Sequence, residues 1–128
     1  MAAHDAGMTA LGNRAHLVAA PAARDRLIHC FTAVLGCGDP LRMTVPGVAE
    51  PILAFRFPNG GSISVEFTER ALDEGQARQG AWLELVTDDP GALQRKIVDA
   101  GLPRLTSLLS DRFYFVLPGG QVMGVVGS

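Results

Sequence analysis

Seven side chains in this sequence could do chemistry together. His16 and Glu66 are an imidazole and a carboxylate, side chains suited to taking and returning protons as general acid and base. Trp82 and Tyr114 offer flat π faces on which a planar or cationic molecule can stack. Glu66 and Glu84 supply negative charge. Ser64 and Arg56 add a hydroxyl and a guanidinium that can bind polar ligand groups. A mixed aromatic and polar set of this kind has the composition of a small-molecule site. Binding and proton transfer use the same residue types, so the set fits a binding protein and an acid–base enzyme equally. His29 falls inside a helical stretch beside Ile28 and reads as structural.

These side chains have to be carried by strands and turned to one surface. Ser62 to Thr68 is the cleanest alternation in the chain. Ile63, Val65 and Phe67 fall on one face of a strand, and Ser62, Ser64, Glu66 and Thr68 on the other. A sheet with helices on one side buries the apolar row beneath them, which leaves the polar row facing a second surface. Ala81 to Thr87 also reads as a strand, with Leu83 and Leu85 alternating with Trp82, Glu84 and Val86. Asp88 or Asp89 can then cap a helix whose first turn accepts Pro90. Leu93, Ile97 and Ala100 share one face of that helix. Gly101 suits the left-handed residue that closes it, and Pro103 stops it resuming.

The same unit occurs earlier. Arg14 to Ala20 reads as a strand, Pro21 as a break, and about Ala22 to Leu35 as a helix ending at Gly36. Leu27, Ile28, Phe31, Val34 and Leu35 form its apolar stripe. Three short strand-like runs follow each helix. They are Leu41–Val45, Ile52–Phe57 and Ser62–Thr68, then Arg104–Leu109, Arg112–Leu117 and Val122–Val126, with Asp111 in a turn. Phe57-Pro58-Asn59-Gly60-Gly61 leads into the last run of one set, and Leu117-Pro118-Gly119-Gly120 into the last run of the other. Two βαβββ halves in so short a chain are a duplication.

The predicted architecture is therefore α+β: two βαβββ modules forming a curved mixed sheet with a concave cleft, helices on the convex side. The expected bounds are a flexible tail over 1–12, a first module over 13–70, a linker over 71–79 with room for a helical turn, and a second module over 80–128. Ile63, Val65, Phe67, Leu83, Leu85, Phe113 and Phe115 should be buried beneath Leu27, Phe31, Leu93 and Ile97.

Composition narrows the partners. With 128 residues, the chain is long enough for one structural domain. A net charge of −2 gives no footprint for nucleic acid or an anionic membrane. No apolar run approaches the roughly 20 residues of a membrane span. Met1 to Asn13 lacks a cationic start and an apolar core, so it does not read as a secretory signal. Cys30 and Cys37 are the only cysteines and read as reduced thiols, which implies a cytoplasmic setting.

The paired modules resemble the vicinal oxygen chelate superfamily, which includes glyoxalase I, extradiol dioxygenases, fosfomycin-resistance enzymes and bleomycin-resistance proteins. His16-Leu17-Val18 through Phe31 to Leu35-Gly36 is similar to the family's opening, a histidine-bearing strand and a helix ending in Leu-Gly. Glu66-Phe67-Thr68 resembles the end of its fourth strand, and Asp88-Asp89-Pro90 and Pro118-Gly119-Gly120 resemble markers of the second half. The resemblance covers nearly all of the chain after the tail. In metal-dependent members, ligands come from the first and last strands of each half. His16 and Glu66 occupy two of those positions, while Trp82 and Gly124 stand at the others and cannot ligate. Glu84 could in principle substitute, giving His16, Glu66 and Glu84 as a three-ligand set for a divalent metal. With two of four positions lost, the resemblance implies a bleomycin-resistance-like protein that binds a small organic molecule without a complete metal site and without a cofactor. Its alternatives are a metal-dependent lyase, isomerase or transferase of the glyoxalase type, and a metal-independent enzyme with His16 or Glu66 as acid–base on a metabolite or natural product. Superfamily members often dimerise and the short chain exposes strand edges, so a homodimer is expected.

Overall fold

The computed structural model describes residues 7–107 and 110–128. Strand β1 (Arg14–Ala19) leads through a 3-10 turn at Pro21–Ala23 into α1 (Arg24–His29). Beyond His29 the helix widens into a π turn over Cys30–Val34, where the Leu35 amide reaches back to the Cys30 carbonyl at 3.0 Å. The Thr32 hydroxyl donates to the Ile28 carbonyl at 2.7 Å, a local side-chain bond that competes with the regular ladder. The helix expected from Ala22 to Leu35 is thus one segment whose pitch changes along its length. Gly36, at φ 81°, takes the left-handed turn out of it.

Strands β2 (Leu41–Met43), β3 (Ile52–Arg56) and β4 (Ser62–Phe67) complete the first module. They hydrogen-bond in the order β1-β4-β3-β2, with β1 parallel to β4 and the other pairs antiparallel. The second module repeats the pattern. Its elements are β5 (Leu83–Thr87), α3 (Pro90–Asp99), β6 (Arg104–Ser107), β7 (Ser110–Val116) and β8 (Val122–Gly127), with strand order β5-β8-β7-β6. The mixed sheet is therefore two four-stranded ladders, and β1 and β5 are each an edge. Helix α2 (Glu74–Ala77) lies in the linker and begins with a capping box between Asp73 and Gln76.

Asp89 is the residue that caps α3, accepting from the Ala92 amide at 3.0 Å. At the other end Gly101 donates to Val98 and Leu102 donates to Ile97, the paired bonds of a Schellman closure. Two local expectations need correction. Trp82 lies just ahead of β5, not within it. Asp111 is inside β7, because Ser107 pairs directly with Ser110 and the chain has already turned. The expected strand end at Leu108 and Leu109 falls outside the described residues.

One buried cluster joins both modules. Leu27, Phe31 and Val34 from the first helical segment and Ile97 from α3 meet Val65, Phe67, Phe113 and Phe115 from the sheets. Phe31 stacks on Phe55 with ring centroids 4.4 Å apart. Burying each such large side chain contributes about 1.5–3 kcal/mol. Leu83, Leu85 and Leu93 are only half-buried, contrary to expectation. Leu83 and Leu85 sit on the edge strand β5, which has no strand neighbour on its outer side. Cys30 and Cys37 are free and buried in the same core. Burial, with a smaller push from Cys37, raises the Cys30 thiol to about 12, and burial raises Cys37 to about 11. Both are held as neutral thiols rather than nucleophilic thiolates.

The linker is fixed to the second sheet at Gly120. This residue has φ 105°, and a Cβ there would lie 2.6 Å from the Glu74 carbonyl oxygen and 2.8 Å from the Ala77 Cβ. Backbone on both sides cannot yield cheaply. Gly120→Ala is expected to destabilise the protein by about 3 kcal/mol in denaturant unfolding, from strain and overlap together. Gly47→Ala, at φ 86° with open space around the added methyl, should cost only about 1 kcal/mol. Equal losses at the two glycines would show that α2 is not packed on the β7–β8 turn.

Candidate functional site

Pairing register arranges the open face of the first sheet in rows. Arg14, Ser62 and Arg56 lie side by side on β1, β4 and β3. His16, Ser64 and Ala54 form the next row. Val18 and Glu66 form the third, with Val18 half-exposed. The strict alternation of β4 dictates this, since Ile63, Val65 and Phe67 are drawn into the core. His16 Nδ1 and the Ser64 hydroxyl are 2.7 Å apart, and His16 Nε2 stands 3.5 Å from Glu66 Oε1. His16 therefore contacts both Ser64 and Glu66.

The second half builds a different surface. The Trp82 and Tyr114 rings approach to 4.9 Å between centroids with a 57° tilt. Trp82 is anchored by its indole N–H, which donates to the Arg78 carbonyl at 3.1 Å. Tyr114 pairs across the ladder with Gly124, and a Cβ at 124 would meet the tyrosine ring at 3.0 Å. The glycine is what gives the ring its place. Glu84, also beside Gly124 in register, is bound by the Arg112 guanidinium.

A groove of about 1090 Å³ runs between the two halves. Trp82, Glu84 and Tyr114 line it, and so do Leu83, Leu85 and Leu93. Every residue from Trp82 to Asp88 borders it, so it follows the unpaired edge of β5 rather than one face. Across from β5 it is bordered by Arg14 and Ala15 at the start of β1, Ser62 and Ile63 at the start of β4, and Phe57 just beyond β3. His16, Ser64, Glu66 and Arg56 do not line it. The expected site residues thus fall into two groups, three in the groove and four on the open face of the first sheet. Arg14, Arg112 and the half-buried leucines were missed by sequence reasoning. Leu83 and Leu85 look like core residues by periodicity, and only knowing that β5 is an edge would have moved them to a ligand surface.

The metal positions can be tested on this geometry. His16 and Glu66 are close, but pairing register corrects the matching positions of the second half from Trp82 and Gly124 to Glu84 and Val126; valine offers no donor, and Glu84 is bound by Arg112. Among the described residues no group of three or more His, Cys, Asp or Glu side chains is gathered to hold an ion. His16, Glu66 and Glu84 do not come together as a ligand set. Within the described chain, His16 and Glu66 supply two of the three protein ligands usual for a catalytic divalent metal.

Solved structures share this architecture. Trypanothione-dependent glyoxalase I from Leishmania major superposes with a TM-score of 0.71 at 12% identity, covering 93% of this chain and 87% of that one. Fosfomycin resistance protein FosX from Mesorhizobium loti gives 0.61 at 12% identity over 92% and 90%. An antibiotic-binding protein from a Streptomyces species gives 0.63 at 17% identity over 94% and 98%. No protein-family model matches the sequence, and no curated protein matches it in sequence. The chain has the vicinal oxygen chelate fold, built from two βαβββ modules.

Gly124→Ala should displace the Tyr114 ring. The expected result is a loss of about 1–3 kcal/mol in stability, together with a change in Trp82 emission as its aromatic neighbour moves. An unchanged emission spectrum and unchanged stability would show that Tyr114 does not rest on Gly124.

Proposed function

We propose that this protein binds a planar small organic molecule in the groove between its modules, with Trp82 and Tyr114 as the stacking platform. The observation that carries this reading is the tilted aromatic pair exposed at the wall of a 1090 Å³ groove that Leu83, Leu85 and Leu93 also line. Trp82 is 42% exposed although it is a large aromatic ring, which leaves face area for a ligand. An antibiotic-binding protein among the structural neighbours supports the same class of activity for the fold. Binding here requires no bound metal, because the aromatic faces and groove walls supply the contact.

A second reading is favoured by one observation, the contact of His16 with both Ser64 and Glu66. With Ser64 donating to Nδ1, the imidazole carries its proton on Nε2, towards Glu66. That arrangement holds an imidazole ready to exchange a proton with a substrate lying on the open face of the first sheet.

Fluorescence titration of Trp82, the only tryptophan, tests the first reading. Trp82→Ala, followed by calorimetry, should weaken ligand binding by about 1–3 kcal/mol, whereas Glu66→Gln should change it by much less. If Glu66→Gln costs as much as Trp82→Ala, the ligand extends onto the first sheet and the acid–base reading gains. If neither matters, the groove is not the site.

The protein is also proposed to be a homodimer. Val18, Leu41, Met43 and Val86 are exposed near the free edges and open faces of the two sheets. Light scattering should give twice the 13.5 kDa chain mass at micromolar concentration. A mass of one chain throughout that range would refute it.

A further inference from the structure

The groove has a chemical polarity that its aromatic pair alone does not reveal. At the Trp82–Tyr114 wall the Glu84 carboxylate is bound by Arg112, while Asp88 and Lys96, an acid and a base, border the groove further along. At the opposite wall stands Arg14, next to the Ser62 hydroxyl. On the other side of Ser62, one strand further, is Arg56. Neighbouring strands are about 4.8 Å apart, so the two guanidinium stems rise roughly 10 Å apart with a hydroxyl between them, and such long side chains can converge over it.

Among the described residues neither arginine has a carboxylate partner. The ion pairs among the described residues use Arg24, Arg26, Arg112 and His16, and none uses Arg14 or Arg56. Glu66 is the acid on this face, four residues along β4 from Ser62. That is about 13 Å of strand, longer than the screening length at physiological salt. Glu66 also has its own partner in His16. The result is a fork-shaped cation and a hydroxyl at one wall of a groove whose other wall is aromatic, with a second such cation, Arg56, on the strand beyond that wall. Guanidinium forks and a hydroxyl are the donors that match a carboxylate or a phosphate.

We infer that the ligand of this groove is an aromatic molecule bearing a carboxylate or phosphate group, its ring on Trp82 and Tyr114 and its anion held by Arg14 and Ser62, with Arg56 reaching in from the next strand. This deepens the proposed function and rests on it. It also reverses the charge expected from sequence, where Glu66 and Glu84 suggest a cationic ligand. Both carboxylates are committed to basic partners within the chain.

Four probes of similar size separate the possibilities: benzoate, phenyl phosphate, benzyl alcohol and benzylamine. Each is titrated into the full chain, with Trp82 emission reporting the aromatic wall and backbone amide NMR shifts reporting Arg14, Ser62 and Arg56. Benzoate or phenyl phosphate should bind about tenfold or more tightly than benzyl alcohol, and benzylamine most weakly. Saturable shifts at Ser62 should accompany the emission change. Arg14→Ala and Arg56→Ala should each bring the anion's affinity down towards that of the alcohol. A preference for phenyl phosphate alone assigns a phosphate ligand, and comparable binding of benzoate assigns a carboxylate. Benzyl alcohol or benzylamine binding as well as the anions, with Trp82 responding, overturns the inference and leaves the groove reading standing. No Trp82 response to any probe, with Ser62 still shifting on phosphate, overturns the joint site, because ring and anion would then not share one groove.

Discussion

The register of β4 is the constraint on which the first half of this protein depends. It is the inner strand that pairs with both β1 and β3, and its side chains alternate without exception between core and open face. Ile63, Val65 and Phe67 go inward because Leu27, Phe31 and the rest of the core cluster give them somewhere dry to be. Ser62, Ser64 and Glu66 go outward as a necessary consequence. A slip of one residue would bury two hydroxyls and a carboxylate and would expose three large apolar side chains. The contact of His16 with Ser64, and the flanking of Ser62 by Arg14 and Arg56, both follow from that single choice.

The second half uses the same topology for a different end. Its equivalent strand β8 carries Gly124 where the first half carries Ser64, and the space this leaves is taken by the Tyr114 ring. One module thus presents cations and an imidazole cluster, and the other presents aromatic faces. Duplication supplies two copies of a scaffold, and a change at one strand position converts a polar face into a stacking platform. The groove lies between these surfaces because β1 and β5 do not pair, so each leaves an edge free.

Much of the fold was legible in the sequence because its signals are local. Alternation in β4, the Asp89 cap with Pro90, and the glycine closures at Gly36 and Gly101 each act over a few residues. The turn before β7 was misplaced, since Asp111 looks like a turn former and only the pairing of Ser107 with Ser110 locates it in a strand. The site was legible by residue type but not by grouping. His16 meets Ser64 and Glu66 because β1 and β4 pair in parallel, whereas Trp82, Glu84 and Tyr114, expected on the same face, lie along the groove. Whether Glu84 would join His16 and Glu66 depended on a long-range contact with Arg112, which no local pattern announces. Arg14 was read only as the start of a strand, since its place at the groove wall is a property of the folded chain.

The most direct test is a crystal structure of the protein with a ligand bound, whether carried through purification or soaked in as phenyl phosphate. The account predicts ring density against Trp82 and Tyr114, with the anionic group directed at Arg14 and Ser62. Density confined to the His16 and Glu66 face, with the groove filled only by solvent, would contradict it.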